Sequence, residues 1–193
     1  MKKAIFTLSV VLIVGLIFST CATPPTEEMN KAQDAVTRAE SDADAVTYAG
    51  NTLLRARETL DKMMTEVNGK RYDAAKTLAS EAIDLAEKAI ADGKAGAERA
   101  RNEAANLLNS LQAPLAEAAT NLNAAREAGD LELDLDALSD DMDIARRTYD
   151  DARQSFQAND FQDTTAKCQR VRSLLADISY RINNAAQAVS RKK

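Results

Sequence analysis

Alanine recurs three or four positions apart along most of this chain, and this spacing constrains the fold more than any other feature. The series Ala75, Ala79, Ala82, Ala86 and Ala89 places small apolar side chains on one helical face. Only 4% of the residues are aromatic, and the chain has 6 glycines and 3 prolines. This composition is typical of long, closely packed helices. We therefore predict an all-α fold, an elongated antiparallel bundle of about six helices in two related three-helix halves.

Capping and turn residues predict where these helices begin and end. Pro114 should kink or end its helix, because proline cannot donate the helical hydrogen bond. The other expected boundaries are a start at Thr26, a break at Gly50-Asn51, an end at Asn68-Gly69, a start at Tyr72, an end at Gly129-Asp130 and a turn at Asn159-Asp160.

The helical period changes between the fourth and fifth predicted helices. Leu131, Leu133 and Leu135 alternate with acidic residues, which places the leucines on one side of an extended segment. We interpret this segment as a strap across the end of the bundle. Asp136 or Ser139 is then expected to cap the fifth helix.

The two halves of the chain align without gaps at an offset of 89 residues, which indicates an internal duplication. Each copy has an apolar helix, a polar turn and then an aromatic residue that opens a new helix. The matched pairs are Ala35 and Ala124, Ala39 and Ala128, Ala56 and Ala145, Arg57 and Arg146, Thr59 and Thr148, Tyr72 and Phe161, and Leu85 and Leu174. We assign the halves to residues 27–112 and 113–193.

The first twenty residues have the layout of a secretory signal. Lys2 and Lys3 precede an apolar run, residues 4–18, that is short for a membrane-spanning helix. The run leads through Ser19 and Thr20 to Cys21, and this ending resembles a bacterial lipobox, most closely the relaxed spirochaetal form. The resemblance implies cleavage before Cys21 and acylation of its thiol.

We therefore predict a signal peptide at residues 1–20, lipid attachment at Cys21 and a tether at residues 21–26. Two or more acyl chains, palmitate among them, would hold the protein at a membrane without a spanning helix. The alternatives are an uncleaved signal anchor, or cleavage elsewhere that leaves Cys21 as an ordinary thiol.

Charge and residue types narrow the function. Two of the 25 Lys and Arg residues lie in the signal, so the remainder carries 23 basic against 30 acidic residues, a net charge of −7. This charge disfavours nucleic acid as a partner. Histidine is absent, which removes the commonest general base and metal ligand. We expect no enzymatic activity, no metal and no cofactor.

A hairpin signature lies in the first half, in the run Asn68-Gly69-Lys70-Arg71-Tyr72-Asp73-Ala74-Ala75 with the alanines on either side of it. This run resembles the alanine-rich envelope lipoproteins of domain-of-unknown-function family forty-three ninety-eight, over about residues 28–100. The resemblance implies a helical lipoprotein that faces the periplasm and often associates with outer-membrane assemblies. It implies no activity. A tetratricopeptide unit has a similar hairpin, but with shorter helices.

Four features could form sites, and each also has a structural interpretation. The acidic residues from Asp130 to Asp143 could bind calcium, but they lack the loop glycine and fit a solvated strap with capping carboxylates better. Tyr72 and Phe161 fit core positions better than recognition positions. Cys168 fits a buried small hydrophobe. Lys193 could be joined to peptidoglycan, as in murein lipoproteins, or could complement a helix dipole.

These observations predict a non-enzymatic, lipid-anchored envelope protein that acts as a structural or scaffolding module. The expected location is the periplasmic face of the outer membrane, and the expected partners are the membrane, an envelope protein and, as a minority possibility, peptidoglycan. The alternative is an envelope lipoprotein that binds a ligand or a lipid. An enzyme would need a cluster of perturbed carboxylates in a cleft.

Overall fold

A computed structural model describes residues 23–129 and 133–192, and nearly all of these residues are helical. No strand occurs within these two ranges, so the predicted all-α class is confirmed. The six helices are α1 (Thr26–Ser41), α2 (Ala43–Tyr48), α3 (Gly50–Asn68), α4 (Tyr72–Ala128), α5 (Leu135–Gln157) and α6 (Phe161–Lys192).

The chain forms two compact units, which meet in sequence between Lys94 and Ala95. Unit 1 contains α1, α2, α3 and the first part of α4. Unit 2 contains the rest of α4 with α5 and α6. Each unit has its own hydrophobic core, so each is described by itself below.

Alanine dominates the core of unit 1, as the periodicity predicts. Helix α4 alone contributes five alanines that are fully buried, together with Leu85 at 8% exposure. Met63 of α3 is the largest fully buried side chain of this unit. Small side chains bury little area each but allow helix backbones to approach closely.

The first predicted helix is interrupted at Asp42, eight residues before the predicted break at Gly50. The Asp42 carboxylate accepts a hydrogen bond from the backbone N–H of Ala45 at 2.8 Å and so caps α2. Gly93 of α4 lies against this short helix, since a Cβ atom there would be 2.5 Å from the Ala45 nitrogen. The second break, at Ala49, adjoins the predicted Gly50-Asn51.

Pro114 is predicted to kink or to end its helix. The prediction of an end is wrong, because α4 continues past Pro114 to Ala128. Proline removes one helical hydrogen bond and is unfavourable in a helix interior by about 3 kcal/mol. Burial of the neighbours Leu111 and Ala118 in the core of unit 2 offsets this cost. The helix does end next to Gly129, which has a φ of +66°.

The core of unit 2 contains larger side chains than that of unit 1. Leu138, Val171 and Ile178 are fully buried, and Met142 and Leu111 are each 2% exposed. Tyr149 also bridges two helices of this unit, since its hydroxyl donates to the carbonyl of Leu108 at 3.3 Å.

The predicted strap ends at Asp134, earlier than expected. Leu131 lies outside the described residues, Leu133 and Asp134 are non-helical, and α5 already begins at Leu135. The cap is Asp134, which accepts from the N–H of Ala137 at 3.0 Å, and not Asp136 or Ser139. A carboxylate at the residue before the helix competes well for the free N–H groups of the first turn, which explains the earlier start.

The hairpin turns of the two units confirm the offset of 89 residues. Lys70 and Asn159, which are 89 positions apart, are the two non-glycine residues with positive φ in the described chain, at 57° and 61°. Both turns have four backbone hydrogen bonds with donors and acceptors at equivalent positions. The N–H donors are Gly69, Lys70, Arg71 and Ala75 in unit 1 and Ala158, Asn159, Asp160 and Thr164 in unit 2.

The offset fails in the first helix of each copy. Ala35 and Ala39 are buried, whereas their predicted counterparts Ala124 and Ala128 are exposed. Burial in unit 2 falls instead on Leu122 and Ala125, so the matches at these two alanines are not matches of core positions.

Candidate functional site

Two of the predicted site residues lie at the ends of the chain, where the structure gives no description. Cys21, with the signal and Ala22 of the tether, precedes the first described residue, and Lys193 follows the last. Lipid attachment and peptidoglycan attachment therefore remain predictions.

The acidic residues before and within α5 have separate partners. Asp134 caps the helix, Asp141 pairs with Arg181 of α6 at 2.9 Å, and Asp143 lies 3.7 Å from Arg146. No group of three or more Cys, Asp or Glu residues suited to a metal ion occurs within residues 23–129 and 133–192. The capping and pairing contacts favour the structural interpretation of this segment.

Cys168 is 1% exposed in the core of unit 2, as the sequence predicts. Burial raises the pKa of its thiol, and the charge of Arg172 only partly opposes this effect. The nucleophilic form of cysteine is the thiolate, so this environment disfavours a reactive role.

The aromatic residues that open α4 and α6 have a packing role. Phe161 is 8% exposed, and its ring centroid lies 5.6 Å from that of Phe156 at an interplanar angle of 58°. This contact confirms the predicted packing of Phe161 on the preceding helix. Tyr72, its counterpart in unit 1, is half-buried.

Charged side chains form hydrogen bonds across each hairpin turn, and the residues involved differ between the two units. In unit 1 the Arg71 guanidinium donates to Glu66 and lowers the pKa of that carboxyl. In unit 2 Lys167 and the Ser155 hydroxyl both donate to Asp163, and these bonds lower the pKa of the Asp163 carboxyl. The same contact raises the pKa of Lys167.

Each unit has an open groove along α4. In unit 1 the groove has a volume of about 600 Å³, and four of its six lining residues are charged: Lys31, Asp34, Thr37, Arg38, Ile83 and Glu87 line it. In unit 2 it has a volume of about 350 Å³ and runs between α4 and α6. Apolar side chains form much of this second groove, and serine, Glu117 and Arg172 side chains also line it.

One wall of each groove lies at an equivalent position in the duplicated pattern. Ile83 and Glu87 of the first groove correspond, at the offset of 89, to Arg172 and Ala176 of the second. Sequence reasoning missed both grooves. Pro114 is the one sequence signal near the second groove, because proline leaves the carbonyl of Ser110 without its helical donor.

Four large apolar side chains are exposed on the described surface: Val46, Leu54, Met64 and Tyr180. Most of the remaining exposed positions are polar or charged. None of the described helices is both long enough and apolar enough to cross a membrane.

Residues 27–107 match the family "Domain of unknown function (DUF4398)". This match confirms the resemblance that the hairpin signature indicates, and it extends a few residues beyond the predicted range. It covers α1, α2, α3 and the first part of α4, so it contains the whole core of unit 1. Neither a curated protein nor a solved structure matches the chain.

Proposed function

We propose, with the match of residues 27–107 to the DUF4398 family as the premise, that this chain is a lipid-anchored envelope protein with a structural or scaffolding role. It has no enzymatic activity in this proposal. Acyl chains on Cys21 anchor it at the periplasmic face of the outer membrane, and its helical surfaces hold or space other envelope components.

The beginning of the chain supports the anchor. Two lysines, an apolar run and a cysteine follow one another within residues 2–21, and a cysteine at the end of such a run otherwise lacks an explanation. One acyl chain binds a bilayer only marginally, while two or more hold a protein there.

The distribution of polar groups supports a scaffold over an enzyme, and it is the observation that carries the proposal. The ion pairs of the described residues lie on helix surfaces, most of them with exposed partners three or four residues apart or across a hairpin. Cys168, a potential nucleophile, is buried with a raised pKa. Catalytic groups instead cluster in clefts where several neighbours perturb them together.

Labelling with a palmitate analogue tests the anchor. The full chain should incorporate the label and fractionate with membranes, and Cys21→Ser should lose both properties. The other cysteine gives a matched control, because Cys168→Ala removes a buried thiol and should leave the label in place. Labelling that survives Cys21→Ser would contradict the anchor.

Cross-linking in intact cells, followed by mass spectrometry of the adducts, tests the scaffold role. We expect reproducible adducts with an envelope protein, confined to one helical face. Retention on purified cell wall that disappears in Lys193→Arg would identify peptidoglycan as a covalent partner. Only self-adducts, or none, together with a copurifying small molecule, would favour the alternative of a ligand-binding lipoprotein.

A further inference from the structure

The groove of unit 2 has two distinct ends. Helices α5 and α6 are antiparallel, and Asp141 of α5 pairs with Arg181 of α6. Tyr149 lies eight residues after Asp141, so it is at the same height along the bundle as residue 173, which lies eight residues before Arg181. Tyr149 in turn bonds to the carbonyl of Leu108 on α4. The part of α4 around residues 108–110 therefore lies at the same level as Arg172.

The two walls consequently run in the same direction. Two short connections join α4 to α5 and α5 to α6, so α6 has the direction of α4. Ser110 and Arg172 mark one end of the groove, and Glu117 and Ser179 mark the other. Between them, Leu111, Ala118 and Leu175 form an apolar floor.

Opposite charges occupy the two ends of the groove. Arg172 and Glu117 both line the groove, yet neither forms an ion pair with another residue of the described chain. Among the four charged residues that line the groove of unit 1, Lys31 differs in this respect because it bonds to Glu27 at 2.6 Å, whereas Asp34, Arg38 and Glu87 likewise form no ion pair within the described residues.

Pro114 adds a backbone acceptor to the same site. A helical N–H at position 114 would bond to the carbonyl of Ser110, but proline has no N–H. The Ser110 carbonyl therefore lacks its helical donor, and Ser110 lies on the groove wall. A ligand N–H group can supply the missing hydrogen bond.

The spacing of the charges sets the length of a matching ligand. Ser110 and Glu117 are seven residues apart on α4, which is about 10.5 Å along a helix axis. An extended chain of three residues spans about 10 Å. We infer that the groove of unit 2 binds a short peptide of about three residues with free ends, its carboxylate at Arg172 and its ammonium group at Glu117.

The remaining features of the groove fit such a peptide. The apolar floor accommodates small side chains, and the Ser110 carbonyl accepts a backbone N–H near the carboxylate end. A volume of about 350 Å³ lies at the lower end of the range for small-molecule sites. The inference goes beyond the scaffold role and does not depend on it, because the site lies wholly in unit 2.

Titration of the full chain, in detergent micelles, with tri-alanine tests this site by amide chemical shifts. We expect saturable shifts confined to residues 110–118 and 172–179. Tri-alanine with an acetylated amino end and an amidated carboxyl end is the matched probe, and its dissociation constant should be at least about tenfold weaker, because a charge-assisted bond contributes about 1.5–3 kcal/mol.

Variants at the two ends test the assignment of each charge. Arg172→Gln and Glu117→Gln should each weaken tri-alanine about tenfold, and Arg147→Gln, an exposed arginine of α5 outside the groove, should not. The double exchange Arg172→Glu with Glu117→Arg should restore binding, with the peptide reversed. Equal binding of the capped and free probes, or no localised shifts at saturating probe, would overturn the proposal.

Pro114→Ala tests the backbone acceptor separately from the charges. Alanine restores the N–H that bonds to the Ser110 carbonyl, so the variant should bind tri-alanine several-fold more weakly while its helix becomes more stable. A variant that is stabilised and binds tri-alanine unchanged would remove the carbonyl from the site.

Discussion

The hairpin of unit 1, formed by α3 and α4, and that of unit 2, formed by α5 and α6, turn along the same backbone path with different side chains between their helices. Alanines of α4 correspond to larger residues of α6, and both members of each pair are buried. The pairs are Ala79 and Cys168, Ala82 and Val171, Ala86 and Leu175, and Ala89 and Ile178. The opposite change occurs once, since Met63 of α3 corresponds to Ala152 of α5.

This difference shows that the turn and the packing are separate determinants. The turn needs a residue that tolerates positive φ and four backbone hydrogen bonds, and both copies provide these with unrelated sequences. The helices need only side chains that fill the space between them, and cores tolerate such exchanges when volume and pattern are kept.

One ion pair along the second helix of the hairpin occurs in both units, with different residue types. Lys88 and Asp92 form an i,i+4 pair at 2.9 Å on α4. The corresponding residues on α6 are Asp177 and Arg181, which lie 3.7 Å apart with the charges reversed. Arg181 also reaches Asp141, at the position where Thr52 bonds to Asp92 in unit 1.

Ile178→Ala has the largest expected effect, because it makes the core of unit 2 resemble that of unit 1 at one position without moving the helices. The fully buried side chain leaves a cavity, and we expect the free energy of unfolding to fall by about 2–5 kcal/mol. Urea denaturation with hydrogen exchange of α6 amides measures this loss. Substitution of the exposed Ser173 by alanine is the control. A loss as small as in Ser173→Ala would show that the helices of unit 2 move together and fill the cavity.

Gly93→Ala should destabilise unit 1, because the steric clash costs about 1–3 kcal/mol. The higher helix propensity of alanine offsets about 1 kcal/mol of this cost. Its new Cβ would meet the backbone of α2, which cannot rotate away as a side chain can. Gly50→Ala is the matched control, since nothing lies within 4 Å of a Cβ there. The melting temperature should fall in Gly93→Ala and not in Gly50→Ala. A rise in both variants would mean that α2 moves aside at little cost.

Substitution by glycine compares the two hairpin turns directly. Lys70→Gly should stabilise unit 1 by roughly 0.5–1 kcal/mol, because the left-handed conformation costs an ordinary side chain about 1–2 kcal/mol and glycine gives back part of this in chain entropy. Asn159→Gly should change unit 2 less, since asparagine tolerates this conformation. Equal gains in denaturant midpoint would indicate that the turns are not strained differently.

Much of this fold could be predicted because it depends on local patterns. The helical period, the ends at Asn68 and Gln157 and the starts at Tyr72 and Phe161 follow from residues a few positions apart. The continuation of α4 through Pro114 could not be predicted, because it depends on tertiary packing that offsets the local cost of proline. The cap at Asp134 was misplaced because several acidic residues compete for the same role.

The candidate groove escaped prediction for a related reason. Ser110 and Arg172 are far apart in sequence and meet only when α4 and α6 pack. Their types are ordinary on helix surfaces, so nothing in the sequence marks them. Even the duplication conceals the site, since isoleucine occupies the position of Arg172 in unit 1.

Asp163→Asn has the smallest expected effect and separates the ion pairs of the two turns by their pH dependence. The pKa of Asp163 is lowered in the folded protein, so its contribution is present above the unfolded pKa and is lost as pH falls through the folded value. The pKa of Lys167 is raised, so the same pair also weakens as pH rises through the folded value of the lysine.

The pair of Glu66 and Arg71 should instead weaken only in acid, because arginine keeps its charge at all ordinary pH values. Unfolding free energies of the parent, Asp163→Asn and Glu66→Gln across the acid and alkaline ranges measure both limbs. Asp163→Asn should flatten both limbs for unit 2, and Glu66→Gln only the acid limb for unit 1. An unchanged profile in Asp163→Asn would mean that solvent screens this exposed pair fully, and the two turns would then differ in sequence without differing in electrostatics.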